Sequence, residues 1–140
     1  MKEAFQNPEI GQIKTILQQV KTIAVVGLSP KENRPSHQVA SHMQSFGYRI
    51  IPVRPAVDEV LGEKAFASLS DVSENIDMVD VFRAPDKISP IIDTCIEKKV
   101  PYVWLQDGVV NNAEALRAQA AGITVIMDRC IYRDYKKLFI

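Results

Sequence analysis

Five short apolar runs separated by helical patterns constrain the fold of this chain more than any other feature. The runs are continuous rather than alternating and rich in β-branched residues, which is typical of strands buried on both faces of a parallel sheet. They lie at residues 22–27, 48–53, 77–82, 101–105 and 123–127. With right-handed crossovers between successive strands, the pattern predicts an α/β fold: a Rossmann-like doubly wound parallel sheet of about five strands with helices on both faces.

The segments between the runs show helical spacing and helix-end signals. Helices are predicted over about residues 10–20, 35–47, from 90 onward, 111–121 and 128–138. Ser89 is the expected N-cap of the third of these helices, and Asp128 is the preferred cap of the last. Asn111 with Glu114 three residues on resembles a capping box. The stretch 54–76 is less regular, and a short extended piece near 64–66 and a helical turn near 68–72 are expected within it.

Length and charge limit the class of protein. With 140 residues, 46% of them hydrophobic, the chain is expected to form one domain with a substantial core. Lys plus Arg and Asp plus Glu both number 17, and this zero net charge argues against binding to nucleic acid or a membrane surface. No apolar run approaches the ~20 residues of a membrane span. Because the start also lacks the apolar core of a signal peptide, a cytoplasmic location is expected.

Cysteine and histidine usage gives no sign of a metal or catalytic site. Cys95 and Cys130 are the two cysteines and make no disulfide scaffold. His37 and His42 would point to different faces of a helix, so no metal site is expected. Cys130 stands beside Arg129 with no histidine base nearby in sequence, and packing is favoured over thiol pairing and catalysis. No catalytic residue is assigned.

Arginines follow the predicted strands, at the edge where parallel sheets bind ligands. The four at these positions are Arg34, Arg54, Arg83 and Arg129. Helix N-termini add partial positive charge and free N–H groups at the same edge. Together they predict a local positive site for an anion, most simply a phosphate-bearing nucleotide. Pairing of individual arginines with nearby aspartates is the competing interpretation.

The loop after the first strand departs from the dinucleotide-binding fingerprint. Ser29 and Glu32 follow Gly27 where the Gly-x-Gly-x-x-Gly pattern has its second and third glycines. At the end of the second strand, Arg54 stands where an NAD site usually places an acidic residue. A basic residue there suits a phosphate on the ribose, which fits NADP or the 3′-phosphate of coenzyme A (CoA). Both alternatives are open on this ground.

Seven short motifs follow one another along residues 15–135. They read IAVVGLS (23–29), RPS (34–36), IIPV (50–53), LGEK (61–64), DVFR (80–83), WLQDG (104–108) and MDRC (127–130). Taken together they resemble the small, stand-alone CoA-binding domain family, which is similar to the CoA-binding domain of the succinyl-CoA synthetase α-subunit. The resemblance implies a Rossmann-like fold with CoA or acyl-CoA as the ligand.

The resemblance also implies which residues form the site. A nucleotide is expected over Gly27, Leu28 and Ser29, with Ser29, Arg34 and Ser36 near its phosphates. The resemblance implies that Val53, Arg54 and Pro55 flank the adenosine end of the ligand. It also implies that Phe82 and Arg83 line the site and that Gln106 and Gly108 lie toward the pantetheine path.

The expected function is non-catalytic binding of CoA or acyl-CoA. The ligase domain of the synthetase, with its phosphorylated histidine, is not expected here, so ligase activity is not carried over. The alternative is an NADP-type nucleotide-binding oxidoreductase module. A homodimer through the tail 132–140 and an unidentified protein partner are both compatible with the sequence.

Overall fold

Alternating strands and helices follow one another through the computed structural model, which describes residues 4–140. Within them, the elements in chain order are α1 (Ile10–Gln19), β1 (Thr22–Val26), α2 (Pro35–Ser45), β2 (Arg49–Val53), β3 (Glu59–Val60), β4 (Glu63–Lys64), β5 (Met78–Val81), α3 (Ser89–Lys98), β6 (Tyr102–Leu105), α4 (Asn112–Ala120), β7 (Thr124–Met127) and α5 (Ile131–Phe139). Short 3-10 turns at Leu69–Asp71 and Pro85–Lys87 precede β5 and α3 respectively. In the same part of the chain, no helix is both long and apolar enough to cross a membrane.

The five predicted strands form one parallel sheet with the order β2-β1-β5-β6-β7. After β1 the chain moves outward to β2, and it then returns to the other side of β1 as β5. The direction of winding therefore reverses between β1 and β5, which is the switch point where open α/β sheets bind ligands. This arrangement confirms the predicted Rossmann-like fold class.

Two apolar clusters, one on each face of the sheet, explain why the apolar runs are continuous. One cluster packs beneath α3 and α4, and the other packs beneath α1, α2 and α5. Ala24 belongs to the first cluster and its neighbour Val25 to the second, because successive residues of a strand point to opposite faces. Cys95 and Trp104 are fully buried, one in each cluster.

The helix caps agree with the sequence at one position and differ at two. Asn111 Oδ1 accepts from Glu114 N at 3.1 Å, as predicted. Ser89 is not the cap of α3; it is the first helical residue, because the 3-10 turn before it already places Ile88 in helical conformation. Asp128 is also not a cap: α5 begins at Ile131 with Cys130 as its N-cap, and the Asp128 carboxylate accepts from Gly108 N at 2.8 Å.

The irregular stretch 54–76 contains a small hairpin that the sequence did not predict. β3 and β4 pair antiparallel, and the turn between them holds Leu61 and Gly62 at φ of +55° and +75°. Two successive positive φ angles are the signature of a type I′ hairpin turn. The predicted extended piece corresponds to Phe66, which forms a parallel bridge with Val53, and the predicted helical turn corresponds to Leu69–Asp71.

Candidate functional site

Two adjoining cavities lie at the carboxyl ends of the parallel strands. The α3 cavity, of about 650 Å³, is lined by residues that follow β1 and β2 and by the start of α3, including Val53, Pro55 and Arg83. The α2 cavity, of about 500 Å³, is lined by the loop after β1, the start of α2 and the end of β6. Gly27 and Arg54 line both cavities, so the two form one groove across the switch point.

Gly27 brings two strand ends close together at the centre of this groove. Its N–H donates to Val53 O at 2.9 Å, and its φ is +87°. A Cβ atom at this position would overlap the carbonyl oxygen of Phe82 and would lie 3.3 Å from Arg83 Cδ. The glycine is therefore required by close approach of the β5 end as well as by its turn conformation.

A hydrogen bond holds the loop after β1 against the first turn of α2: Ser29 N donates to Ser36 Oγ at 3.0 Å. Within the loop, Lys31 N donates to Ser29 Oγ at 3.1 Å. Arg34 is the N-cap of α2 and gives it no side-chain hydrogen bond. Gln38 N is bonded to Arg34 O, so the Ser36 and His37 amides are the free donors of the first turn. Such a helix start favours anions.

Basic side chains outnumber acidic ones along the groove. The basic residues that line it are Lys31, Arg34, Arg54, Arg83 and Lys87, and the acidic ones are Asp86 and Asp107. Within residues 4–140, none of the three arginines forms a salt bridge with a carboxylate, and Arg54 Nη1 donates to Gly27 O at 3.2 Å. The chain is neutral overall, so the positive charge is local to this groove.

The fourth arginine of the sequence analysis is used elsewhere. Arg129 donates through two nitrogens to Asp134 at 2.6 and 3.0 Å, and Asp134 is almost fully buried. This hydrogen bonding raises the pKa of Arg129. Arg129 therefore holds the start of α5 in place and lies outside the lining of both cavities. Arg133 makes a similar bidentate contact with Asp107, at 2.8 Å for each bond, which lowers the pKa of that carboxyl.

Two other expected site residues do not line the groove. Leu28 has no exposed surface and packs in the apolar cluster beneath α1, α2 and α5. Gly108 lies outside both cavities, and its N–H is bonded to Asp128. The groove thus brings together the remaining sequence-predicted residues: Gly27, Ser29, Arg34, Ser36, Val53, Arg54, Pro55, Phe82, Arg83 and Gln106.

A buried carboxyl group next to the groove was missed by the sequence analysis. Asp80 in β5 has 1% of its surface exposed and accepts from Gln106 Nε2 at 2.6 Å. Burial raises the pKa of Asp80 to about 7, although the hydrogen bond from Gln106 acts in the opposite direction. The signal was present in the sequence as a charged residue inside an otherwise apolar strand, a position that requires a specific partner.

Comparisons with known proteins agree on one family. Residues 21–136 match the family described as CoA binding domain. The chain is 46% identical to the Bacillus subtilis (strain 168) protein YneT over 127 residues, which cover 91% of this chain and 94% of that protein. A solved structure from Thermus thermophilus shares 36% identity with a TM-score of 0.90, covering 94% of this chain and all of the other.

A larger enzyme contains a related segment. The ADP-forming acetate–CoA ligase of Methanocaldococcus jannaschii is 30% identical over 81 residues, which are 57% of this chain and 11% of the ligase. The similarity is therefore to one segment of that enzyme. The match over residues 21–136, together with the parallel sheet described above, shows that the chain belongs to the CoA-binding domain family.

Proposed function

We propose that this chain binds CoA or acyl-CoA in the groove formed by the α2 and α3 cavities, without catalysis of its own. The observation that carries the proposal is the local excess of basic side chains and free helix N–H groups at the switch point of the sheet. Cations and N–H donors recognise phosphates, and CoA carries a diphosphate and a 3′-phosphate. The family match supports the same ligand.

The two cavities suit different parts of the ligand. The start of α2, with Ser29, Arg34 and Ser36, is assigned to the diphosphate. The α3 cavity, with Arg54 and Pro55, is assigned to the adenosine and its 3′-phosphate, because Arg54 is the basic residue nearest the end of β2. The pantetheine would then extend through the α2 cavity past Phe82 and Gln106. Leu28 contributes its backbone to the loop after β1, and Gly108 lies outside both cavities.

A thermal-shift panel on ligand-free protein tests the choice of ligand. The panel contains CoA, acetyl-CoA, dephospho-CoA, NAD and NADP at equal concentration. A ligand at about 100 times its Kd adds roughly 2.7 kcal/mol to the free energy of unfolding, which raises the melting temperature by several degrees. We expect CoA and acetyl-CoA to give this shift and dephospho-CoA to give less. A shift with NADP alone would favour the oxidoreductase alternative instead.

Substitution of Arg54 tests the assignment of the 3′-phosphate. Arg54→Ala is expected to weaken CoA binding by about 10- to 100-fold, because a charge-assisted hydrogen bond contributes about 1.5–3 kcal/mol. Binding of dephospho-CoA should change little, since it lacks the phosphate in question. Isothermal titration calorimetry with both ligands measures the two effects.

Arg49→Ala is the matched control for Arg54→Ala. Arg49 begins the same strand at its opposite end, where it pairs with Glu63 and Glu74 at the surface. The substitution removes the same charge and should leave both affinities unchanged. Equal losses of CoA and dephospho-CoA binding in Arg54→Ala would show that Arg54 does not contact the 3′-phosphate.

A further inference from the structure

A carboxyl group in the middle of the sheet has a single polar partner. In register, Asp80 lies between Val25 of β1 and Trp104 of β6, both of which are fully buried apolar residues. Among residues 4–140, Gln106 is the side chain that hydrogen bonds to it, through Nε2 at 2.6 Å. No cation of the described chain forms a salt bridge with Asp80. A buried carboxylate without a paired cation is energetically costly, so the presence of Asp80 in the sheet needs a physical explanation.

Gln106 connects this carboxyl group with the groove. It directly follows β6, only 3% of its surface is exposed, and it lines the α2 cavity with Ser29, Ser36 and Phe82. Its amide nitrogen donates one N–H to Asp80 Oδ1. Within residues 4–140, no donor forms a hydrogen bond with the Gln106 amide oxygen. Every fully buried side-chain oxygen in these residues has a hydrogen-bond partner. Gln106 Oε1 therefore keeps contact with solvent, and the α2 cavity is the solvent space that Gln106 lines.

The two ends of a glutamine amide have nearly the same shape but opposite hydrogen-bonding roles. An ionised carboxylate only accepts hydrogen bonds, so it selects the nitrogen and turns the oxygen away. A protonated carboxyl group keeps an accepting oxygen but gains an O–H donor, and an O–H that donates to the amide oxygen leaves the nitrogen facing the cavity. Protonation of Asp80 thus gives Gln106 a second orientation, in which it offers the groove a donor instead of an acceptor.

We propose that Asp80 is a positioning residue that holds the Gln106 amide oxygen toward the α2 cavity, so that the cavity selects a hydrogen-bond donor of its ligand. This inference rests on the proposed function, in which the donors at that place are the amide N–H groups of the CoA pantetheine. Protonation of Asp80 reverses the amide and replaces the acceptor by a donor. Affinity for CoA then falls as the pH is lowered through the range in which Asp80 takes up its proton.

Charged and titratable groups on the helices that cover the Asp80 face of the sheet are engaged with other partners. On the same face of the sheet, α2 places His37 Nδ1 at 3.0 Å from Ser29 O, and α5 places Asp134 against Arg129. Lys14 of α1 lies over the ring of Phe139. Burial is the main cause that raises the pKa of Asp80 to about 7, which brings its proton uptake close to neutral pH.

Nuclear magnetic resonance of the ligand-free protein tests the amide orientation without CoA. The side-chain NH₂ resonances of Gln106 are followed between pH 5 and 9 in the wild type, in Asp80→Asn and in Asp86→Asn. Asp86 lines the groove as an exposed carboxylate, so its substitution controls for the loss of one negative charge. We expect these resonances to shift with a midpoint near neutral pH in the wild type and Asp86→Asn, and to stay constant in Asp80→Asn. Constant resonances in the wild type would overturn the proposal.

Calorimetry with CoA tests the consequence for binding. We expect the wild-type affinity to fall about tenfold between pH 8 and pH 6, and Asp80→Asn to remove this dependence. In a Gln106→Leu background, Asp80→Asn should have no further effect on affinity, because Asp80 acts through the amide. An equal effect of Asp80→Asn in both backgrounds would overturn the positioning role. A pH-dependent Gln106 resonance in a protein that binds no CoA would uphold the amide assignment and contradict the proposed function.

Discussion

Replacing Gly27 by alanine is expected to lower the free energy of unfolding by about 3 kcal/mol, which combines backbone strain with overpacking. The strain arises because Gly27 has a φ of +87°, which is unfavourable for residues with a Cβ atom. The overpacking arises because that Cβ atom would overlap the carbonyl oxygen of Phe82, a backbone atom fixed by its place at the end of β5. Thermal unfolding should show a melting temperature lower by roughly 10 °C.

Gly62→Ala separates the two causes. Gly62 has a similar φ of +75°, but no atom lies within 4 Å of the position that its Cβ would take. This variant is expected to lose only the conformational part, about 1 kcal/mol. If Gly27→Ala and Gly62→Ala had equal effects, the close approach of the β1 and β5 ends would play no part in stability.

The contribution of Asp80 to stability is expected to fall as the pH rises from about 4 to about 7. Burial raises the pKa of this group to about 7 in the folded chain, whereas the unfolded chain has the ordinary value of 3.8. Between the two values, the folded state retains a proton that the unfolded state has released, so raising the pH favours unfolding. The contribution amounts to roughly 1 kcal/mol for each pH unit. It is fully present below the lower pKa and lost above the higher one.

Asp80→Asn isolates this contribution from those of the other carboxyl groups. The variant cannot ionise at this position and keeps an oxygen that can accept from Gln106. Chemical denaturation at several pH values should show the variant gaining stability relative to the wild type between pH 4 and pH 7, with a constant difference above that range. A difference that does not change with pH would mean that Asp80 titrates at its ordinary pKa.

The sheet could be predicted from the sequence because burial on both faces requires continuous apolar strands. Ala24 and Val25 illustrate this, since adjacent residues enter opposite clusters and both must be apolar. The hairpin of β3 and β4 could not be predicted in the same way. Its turn is Leu61-Gly62 rather than the Asn-Gly or Asp-Gly pair that signals a type I′ turn.

Parts of the candidate site depend on contacts between elements that sequence spacing does not contain. Arg129 was placed with the other arginines because it follows β7, but the start of α5 brings Asp134 within reach of its guanidinium. Asp128 was expected to cap α5 and instead binds the loop after β6 through Gly108 N. The hydrogen bond between Asp80 and Gln106 joins β5 to the residue after β6, 26 positions along the chain. The last two pairings follow from the order of strands in the sheet, which the pattern of apolar runs did not fix, whereas the Arg129–Asp134 pair depends on where α5 begins.

The most direct test of the account is a map of amide resonances during addition of CoA to ¹⁵N-labelled protein. We predict saturable shifts at the carboxyl edge of the sheet, at Gly27, Ser29, Arg54 and Gln106. A separate cavity, outside the groove, lies between α1, the residues after α2 and α5, and is lined by Leu17, Tyr48 and Tyr135; its amides should not move. Saturable shifts confined to this separate cavity, or a spectrum unchanged by CoA, would contradict the account.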